Sequence, residues 1–436
     1  MSTEKTLRVA ICGGGISGLC LAVALSQHEH IKVDVWESAE RFKELGAGLM
    51  VFARTWRIFQ LLGLEANFSA ATHTKPDPSV GYQFRRSDLG EEGFGWHFVP
   101  FPYGCRTFHR AHFLDVFVDG LPPNIVHYGK RLSSYKQDET TAEIILNFTD
   151  GSCATCDLLV GCDGIKSTVR KQMFSTMAQR EAKPEFLNFV DPKWTGTIAY
   201  RGLVPATRLV GPGGERHRTL DSPVMYCGKN QHLVAYAISR GEMVNVVAYL
   251  TDPSKENTVP DSFDWVADCD REEVLQTFSS WESEAQVLLN NMQNPTKWNI
   301  HKISPLPNAV DGRVVLLGDA LHAMGPHLGA GATTAIEDAF ILAILLGATS
   351  SPDTLDLALA AYEEIRLAQA NHIQHLSDEA GHMFELNSSY RERLDDLGPA
   401  IARQWSFLAD TTPDDEAKRA LDYRFRLLNS SDLAWS

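Results

Sequence analysis

The 436-residue chain is short of the features that mark several whole classes of protein, and each shortage excludes something. Its eight cysteines are scattered, which excludes a disulfide-stapled miniprotein. No run of Lys and Arg offsets a formal net charge of −15, so neither nucleic acid nor an anionic membrane surface is an expected partner. The longest strongly apolar run, Phe340 to Ala348, falls far short of the roughly 20 residues that cross a bilayer, and no membrane helix is expected. The opening Met1-Ser2-Thr3-Glu4-Lys5 lacks the basic and apolar regions of a signal peptide, which points to reduced thiols and a cytoplasmic setting. Fixed-period repeats, low-complexity tracts, Gly-x-Ser-x-Gly, a Walker loop and His-Glu-x-x-His are all missing. Cys153-x-x-Cys156 has no second ligand pair and His372-x-x-His375 no third ligand, so no metal is expected.

What the chain does have is core material. At 44% hydrophobic and 22% charged it can bury a large interior, and its length suggests two or three lobes. Leu7 to Cys12 reads as a strand, Gly13-Gly14-Gly15 as a break, Ile16 to Ser26 as a helix and Val33 to Trp36 as a second strand. This βαβ unit predicts a parallel α/β sheet. A helical pattern around Thr55 to Leu62 gives way to a loop-rich excursion from Thr72 to Pro102, punctuated by Pro76, Pro78, Pro100 and Pro102. Phe113 to Leu121 is helix-like, and Ile144 to Phe148 and Leu158 to Val160 are expected to return to the first sheet. Thr197 to Leu203, Val224 to Cys227, Leu233 to Ile238 and Val244 to Leu250 follow one another without crossover helices, which predicts an antiparallel sheet. Arg313 to Leu317 is a buried strand, and Thr333 to Leu346 and Leu355 to Ala380 are helices. The tail from Met383 is expected to be helical and polar, broken at Pro399 and Pro413.

Gly13-x-Gly15-x-x-Gly18 lies between a strand and a helix, and Glu37 ends the second strand 24 positions after Gly13. The first glycine permits the tight turn, the second lets a pyrophosphate approach the backbone, and the third lets helix pack on strand. Glu37 suits a ribose diol. This fingerprint binds a dinucleotide but does not separate FAD from NAD.

Two later motifs make that separation. Asp157-Leu158-Leu159-Val160-Gly161-Cys162-Asp163-Gly164, with Ser167 and Arg170, ends a strand and opens a helix. Gly318-Asp319-Ala320-Leu321-His322, then Pro326 and Gly329-Ala330-Gly331-Ala332, does so again. With all three motifs in this order, from Leu7 to about Ala380, the chain resembles the single-component FAD-dependent aromatic hydroxylases, the group-A flavoprotein monooxygenases typified by para-hydroxybenzoate and salicylate hydroxylases. The resemblance implies an α/β fold: a Rossmann-type, GR2-like parallel sheet domain for FAD, interrupted by an antiparallel β-sheet substrate domain, with C-terminal helices. The segments expected are 1–75, 103–185 and 299–380 for FAD, 76–102 and 186–298 for substrate, and 381–436 for a helical end.

The same resemblance implies roles. Glu37 takes the adenine ribose, Asp319 a ribityl hydroxyl, and the helix starting near Gly331 and Ala332 points its N–H groups at the flavin's pyrimidine edge. Gly46-Ala47-Gly48-Leu49-Met50 resembles the loop that passes the flavin, with Met50 contributing backbone. Arg110 matches an FAD-contacting arginine, the alternative being a surface charge, and Asp163 is linked to FAD and to the nicotinamide nucleotide. NADH or NADPH is then a transient donor without a domain of its own, since Gly211-Pro212-Gly213-Gly214 lacks the rest of a second fingerprint.

Attack by a flavin C4a-hydroperoxide on a ring carbon needs an electron-rich phenolate, which an Arg or a hydrogen-bonding Tyr can favour. Tyr200-Arg201-Gly202-Leu203 and His232-Leu233-Val234-Ala235-Tyr236 resemble strands of fungal salicylate-type hydroxylases and of enzymes that dearomatise polyketide phenols, so Arg201 and Tyr236 are the candidate catalytic residues. Structural roles, an arginine paired with an acid and a tyrosine capping the sheet, are the alternative. Pro326 and His327 are candidate pocket residues, while His322 reads as structural. Leu321 and Leu328 depart from commoner family residues and bear on pocket shape. The expected activity is hydroxylation of a phenolic acid with O₂ and NAD(P)H, salicylate-type with loss of CO₂. Dearomatising hydroxylation or epoxidation of a polyketide phenol and a non-catalytic flavin redox sensor stay open, as does a homodimer.

Overall fold

The computed structural model describes residues 6–41, 48–72, 77, 79–101, 104–138, 140–260, 264–349 and 354–433. Gly46 and Ala47 of the expected flavin loop, and Pro76, Pro78 and Pro102 of the excursion, lie outside the described residues.

Leu7–Cys12 is apolar on both faces because it is a central strand with partners on each side. Its parallel neighbours are Ile31–Trp36 and Leu158–Gly161, with Val9 opposite both Val33 and Leu158. The six-stranded order is Val310–Asp311, Val314–Leu316, Leu158–Gly161, Leu7–Cys12, Ile31–Trp36 and Val126–His127, parallel except for its first pair. Sequence-distant segments therefore meet in one sheet. The helix Ile16–Leu25 is buried along its whole length and packs against the equally apolar helix Gly331–Gly347.

The second large sheet has eight strands, in the order Val266–Asp268, Gln293–Lys302, Lys193–Pro205, Met243–Thr251, Gln231–Ile238, Val224–Gly228, Gly81–Arg86 and Phe94–Pro100. It is antiparallel with one exception. Gly81–Arg86 runs parallel to Val224–Gly228, because it arrives from far upstream and no hairpin fixes its direction. One face of this sheet, through Tyr200, Leu233, Ala235, Val246 and Ala248, packs on the helices Arg271–Thr277 and Ser283–Asn291. Strand alternation turns the intervening residues to the opposite face.

Three expectations need correction. Ile144–Phe148 does not return to the parallel sheet; it pairs with Leu132–Gln137 and Cys153–Cys156 in a separate three-stranded meander, as short consecutive hairpins allow. Pro399 does not break the tail but sits inside the helix Leu394–Arg403, and Pro413 opens the helix Pro413–Leu433 behind the capping residue Thr412, whose Oγ1 accepts from Asp415 N at 3.1 Å. Nor is the tail polar on all sides. Leu397, Ile401, Trp405 and Leu408 recur three or four residues apart and are buried beside Tyr82 and Phe84 of the eight-stranded sheet. The long helix Leu355–Phe384 carries on past Ala380 into this cluster. Among the described residues, no helix is long and apolar enough to cross a membrane and no His/Cys/Asp/Glu cluster could hold a metal ion. All eight cysteines are free thiols.

Beneath the helix Gly331–Gly347 lies a buried ionic cluster. Arg366, fully buried, places Nε 2.8 Å from Asp338 Oδ1 and Nη1 2.7 Å from Glu416 Oε2. Arg54 Nε lies 2.6 Å from Glu337 Oε1, and Arg54 also pairs with Glu416. Burial alone would push the Asp338 carboxyl up, but the Arg366 guanidinium and His322 outweigh it and hold Asp338 below the usual carboxylate range. Replacing Arg366 leaves three buried carboxylates with Arg54 as their one guanidinium. Arg366→Met is expected to cost about 3–5 kcal/mol, read as a lower urea midpoint, and an unchanged midpoint would contradict this role.

Candidate active site

The carboxyl ends of the parallel strands and the face of the eight-stranded sheet turned away from Arg271–Thr277 and Ser283–Asn291 meet around one cavity of about 390 Å³. Its first wall comes from the glycine motifs. Gly13 has φ +106°, and a Cβ there would overlap the Cys162 carbonyl, so both conformation and space demand glycine. Gly15 caps the helix Ile16–Leu25 with nothing within 4 Å of where a Cβ would stand. Gly331, at the start of the helix Gly331–Gly347, is equally open. Both border the cavity, as do Ala332, Arg110 at the first position of the helix Arg110–Asp119, and the exposed Asp319. Gly18 lies out of the cavity, packed under the Gly13 carbonyl.

Hydrogen bonds fix this wall. Glu37 accepts from Gly14 N and Ala39 N, both at 2.7 Å, which sets its carboxylate at the glycine loop. Asp163 accepts from Ser167 Oγ at 2.5 Å, Thr168 N at 2.7 Å and Val169 N at 3.1 Å, so its carboxylate anchors the start of the helix Thr168–Arg180. Its neighbours Cys162 and Gly164 reach the cavity instead. Arg170 joins the two later motifs. Fully buried, it donates to the carbonyls of Ile165 at 2.6 Å, Ala320 at 3.1 Å and Phe189 at 3.2 Å, and burial pushes its pKa down to about 10.

The opposite wall is the sheet face. Ala199 and Arg201 alternate along Lys193–Pro205, Asn245, Val247 and Tyr249 along Met243–Thr251, and His232, Val234 and Tyr236 along Gln231–Ile238; all border the cavity. The register sets Arg201 opposite Val247, Tyr249 opposite His232, and Asn245 opposite Tyr236. Arg201 lies 4.9 Å over the Trp298 ring, and its charge reaches the hydroxyls of both Tyr236 and Tyr249. Burial pushes Tyr236 above the usual phenol range and Tyr249 up to about 12, while Arg201 works the other way. Both remain protonated hydrogen-bond donors at neutral pH.

The walls touch at Gly48. Its N–H donates to Asn245 Oδ1 at 3.1 Å, and a Cβ there would stand 2.9 Å from the Tyr236 hydroxyl. Met50 follows, on the strand Gly48–Phe52 and not in a loop, because Cys105–His109 pairs with it; its sulfur lies 3.2 Å from the Tyr82 hydroxyl. Pro326 and His327 complete the rim, with the His327 ring 5.3 Å from that of His232. Leu321 and Leu328 are buried in the core and border no part of the cavity.

The structure thus brings Gly15, Met50, Arg110, Arg201, Tyr236, Asp319, Pro326, His327, Gly331 and Ala332 around one space, with Gly13, Gly18, Glu37 and Asp163 supporting from behind. Tyr249, Asn245 and Tyr82 escaped the sequence reading, as did any separate role for His232. The alternation of Asn245, Val247 and Tyr249 in step with Tyr236 was the available signal. The group implied by the motifs fits. Two open helix N-termini without side chains suit a pyrophosphate and a flavin edge, and Glu37 and Asp319 supply acceptors for hydroxyls.

The chain is an FAD-dependent aromatic monooxygenase. The FAD binding domain family model matches residues 6–191 and 248–377, and the chain belongs to that family. It is similar to a salicylate hydroxylase of Pseudomonas putida, 37% identical over 413 residues that cover 92% of each chain. A 6-methylsalicylate 1-monooxygenase of Aspergillus terreus is 33% identical over 89% of this chain and 86% of its own. Among solved structures, a salicylate hydroxylase substrate complex superposes with a TM-score of 0.84 at 30% identity, covering 96% of this chain and 98% of its own.

The glycines separate folding from binding. Gly13→Ala is expected to destabilise the protein outright. Gly15→Leu should leave the melting temperature of flavin-free protein nearly unchanged and abolish most flavin absorbance in the purified enzyme. Full FAD content in Gly15→Leu would contradict the placement of the cofactor.

Proposed function

We propose that the enzyme hydroxylates a small phenolic acid of the salicylate type, at the carbon bearing the carboxyl group, releasing CO₂ and a catechol and consuming NAD(P)H and O₂. The observation that carries this reading is Arg201, which borders the same cavity as the buried Tyr236 and Tyr249 and as Asp319 and Gly331. The names of the relatives support it. The volume does too, since one space of about 390 Å³ must take both the flavin ring and the substrate, which favours a single ring over a polyketide.

When bound and reduced by the nicotinamide nucleotide, FAD would supply the electrons that activate O₂, one atom of which goes to the substrate and the other to water. The protein's own part is positioning and charge. Gly13, Gly15 and Gly18 shape the pyrophosphate turn, Glu37 and Asp319 hold hydroxyls, Arg110 and the Met50 backbone flank the cofactor, and the helix beginning at Gly331 and Ala332 faces its pyrimidine edge with a partial positive charge. Asp163 fixes the turn on which the second motif stands. Arg201 stabilises the phenolate, and Tyr236 donates to its oxygen, which makes the ring carbon more nucleophilic. Pro326 and His327 close the pocket, His327 offering a hydrogen bond to the carboxylate. In this reading the cofactor part comprises 1–75, 103–185 and 299–380, the substrate part 76–102 and 186–298, and the helical end 381–436.

The test is NAD(P)H consumption over a panel of phenols with product mass and H₂O₂ recorded together. Salicylate should give catechol with loss of the carboxyl carbon. A product that gains oxygen and keeps every carbon would instead favour dearomatising hydroxylation, H₂O₂ alone would mark an uncoupling effector, and an FAD-binding protein whose NAD(P)H oxidation no phenol in the panel stimulates would be a sensor. Arg201→Ala and Tyr236→Phe should keep FAD and lower hydroxylation by about 10²–10³-fold, and wild-type turnover in both would refute the phenolate role. Asp319→Ala should weaken FAD retention by about tenfold or more, the loss of a charge-assisted hydrogen bond.

A further inference from the structure

Two histidines border the cavity, and they differ in what stands behind them. His327 has a buried Nδ1 without a hydrogen-bond partner, and burial, reinforced by His232, His382 and Lys302, pushes its pKa well below the ordinary value. His232 is 1% exposed, and its Nδ1 lies 3.0 Å from Oε1 of Glu385, itself 2% exposed. The same oxygen accepts from Thr251 Oγ1 at 2.8 Å, and the Thr251 hydroxyl lies 2.9 Å from that of Thr197.

This chain has one direction. A hydroxyl that donates to a carboxylate accepts from its neighbour, so the bonds run from Thr197 to Thr251 to Glu385. The Oε1 atom that faces Nδ1 already accepts from Thr251, so the proton between Glu385 and His232 belongs to Nδ1. The ring cannot turn freely, because it stacks on Tyr249 with centroids 4.3 Å apart and planes 13° apart. Its Nε2 is then a lone pair on a side chain that borders the cavity, on the same sheet face as Arg201 and Tyr236. If Glu385 served only to pin the end of the helix Leu355–Phe384 to the sheet, a glutamine would accept the same two hydrogen bonds without burying a charge.

We propose that Glu385 is a positioning residue that holds His232 with its proton on Nδ1, so that Nε2 accepts the proton of a phenol bound beside Arg201. This rests on the phenol reading above. The phenol O–H bond breaks, its proton goes to Nε2, and the electron pair stays on the oxygen facing Arg201. The imidazolium so formed keeps its Nδ1–H on Glu385, and no buried charge is left without a partner.

The test uses the FAD-loaded enzyme with ¹⁵N-labelled histidine, His232 being assigned by the signals lost in His232→Gln. Wild type should show a protonated Nδ1 and a bare Nε2 at His232, a pattern that Glu385→Ala, which has no acceptor, should lose. With salicylate as the probe, Glu385→Gln should retain FAD and a KM within about threefold of wild type, while kcat falls by about tenfold or more. Glu385→Asp should recover part of the loss. A wild-type His232 protonated at Nε2, or wild-type kcat in Glu385→Gln, would overturn the proposal, as would a fall in kcat that only tracks lost FAD and a lower melting temperature. Should Glu385→Gln not fold, the wild-type nitrogen pattern alone decides. A wild type that does not turn over salicylate would sink the substrate reading, and the nitrogen pattern would still report on Glu385.

Discussion

The carboxylate of Asp338 is the point through which the cofactor side of the site is held. One oxygen takes the Arg366 guanidinium; the other takes His322 Nε2 at 2.8 Å and Gly318 N at 3.3 Å. Gly318 and His322 bracket Asp319, so a single buried anion fixes the turn on which a candidate cofactor ligand stands. Arg366 carries the constraint on to Glu416 of the terminal helix, and Glu416 to Arg54. A buried charge is costly unless its partners surround it, and here the partners come from four helices. The C-terminal helices are therefore tied to the cofactor wall by charge as well as by apolar packing.

The substrate side obeys a different constraint, the two-residue period of a strand. Tyr200 turns toward the helices and donates to Glu273, while Arg201, one residue on, turns to the cavity. One face of the sheet packs on the helices Arg271–Thr277 and Ser283–Asn291; the other, whose Tyr82 and Phe84 pack against the C-terminal helices, turns Arg201, His232, Tyr236, Asn245 and Tyr249 to the cavity. Gly48 is where the two constraints meet, since its backbone pairs with Asn245 and its missing side chain leaves room for Tyr236.

How much of this was legible follows from the range of each interaction. The glycine turn, the Asp163-Gly164 and Gly318-Asp319 turns and Glu37 are local motifs whose chemistry dictates their geometry, and they led to the family and to a cavity wall at the expected residues. Strand parity was local as well, and would have added Tyr249 and Asn245 to Arg201 and Tyr236 had it been applied to every strand of the sheet. The rest was not local. Glu385 meets His232 across 153 residues and Arg54 meets Glu416 across 362, and no spacing rule joins such pairs. Pro399 and the tail misled for a related reason: the apolar stripe through Leu397 and Ile401 has meaning only beside Tyr82 and Phe84.

The cofactor wall and the sheet face share one cavity, so a phenolic acid beside Arg201 would lie against the flavin. Titrating salicylate into the FAD-loaded enzyme while following the visible flavin band tests this most directly. The expected result is a saturable perturbation of that band, much weaker in Arg201→Ala at the same FAD content. Saturable binding of salicylate that leaves the flavin spectrum untouched would contradict it.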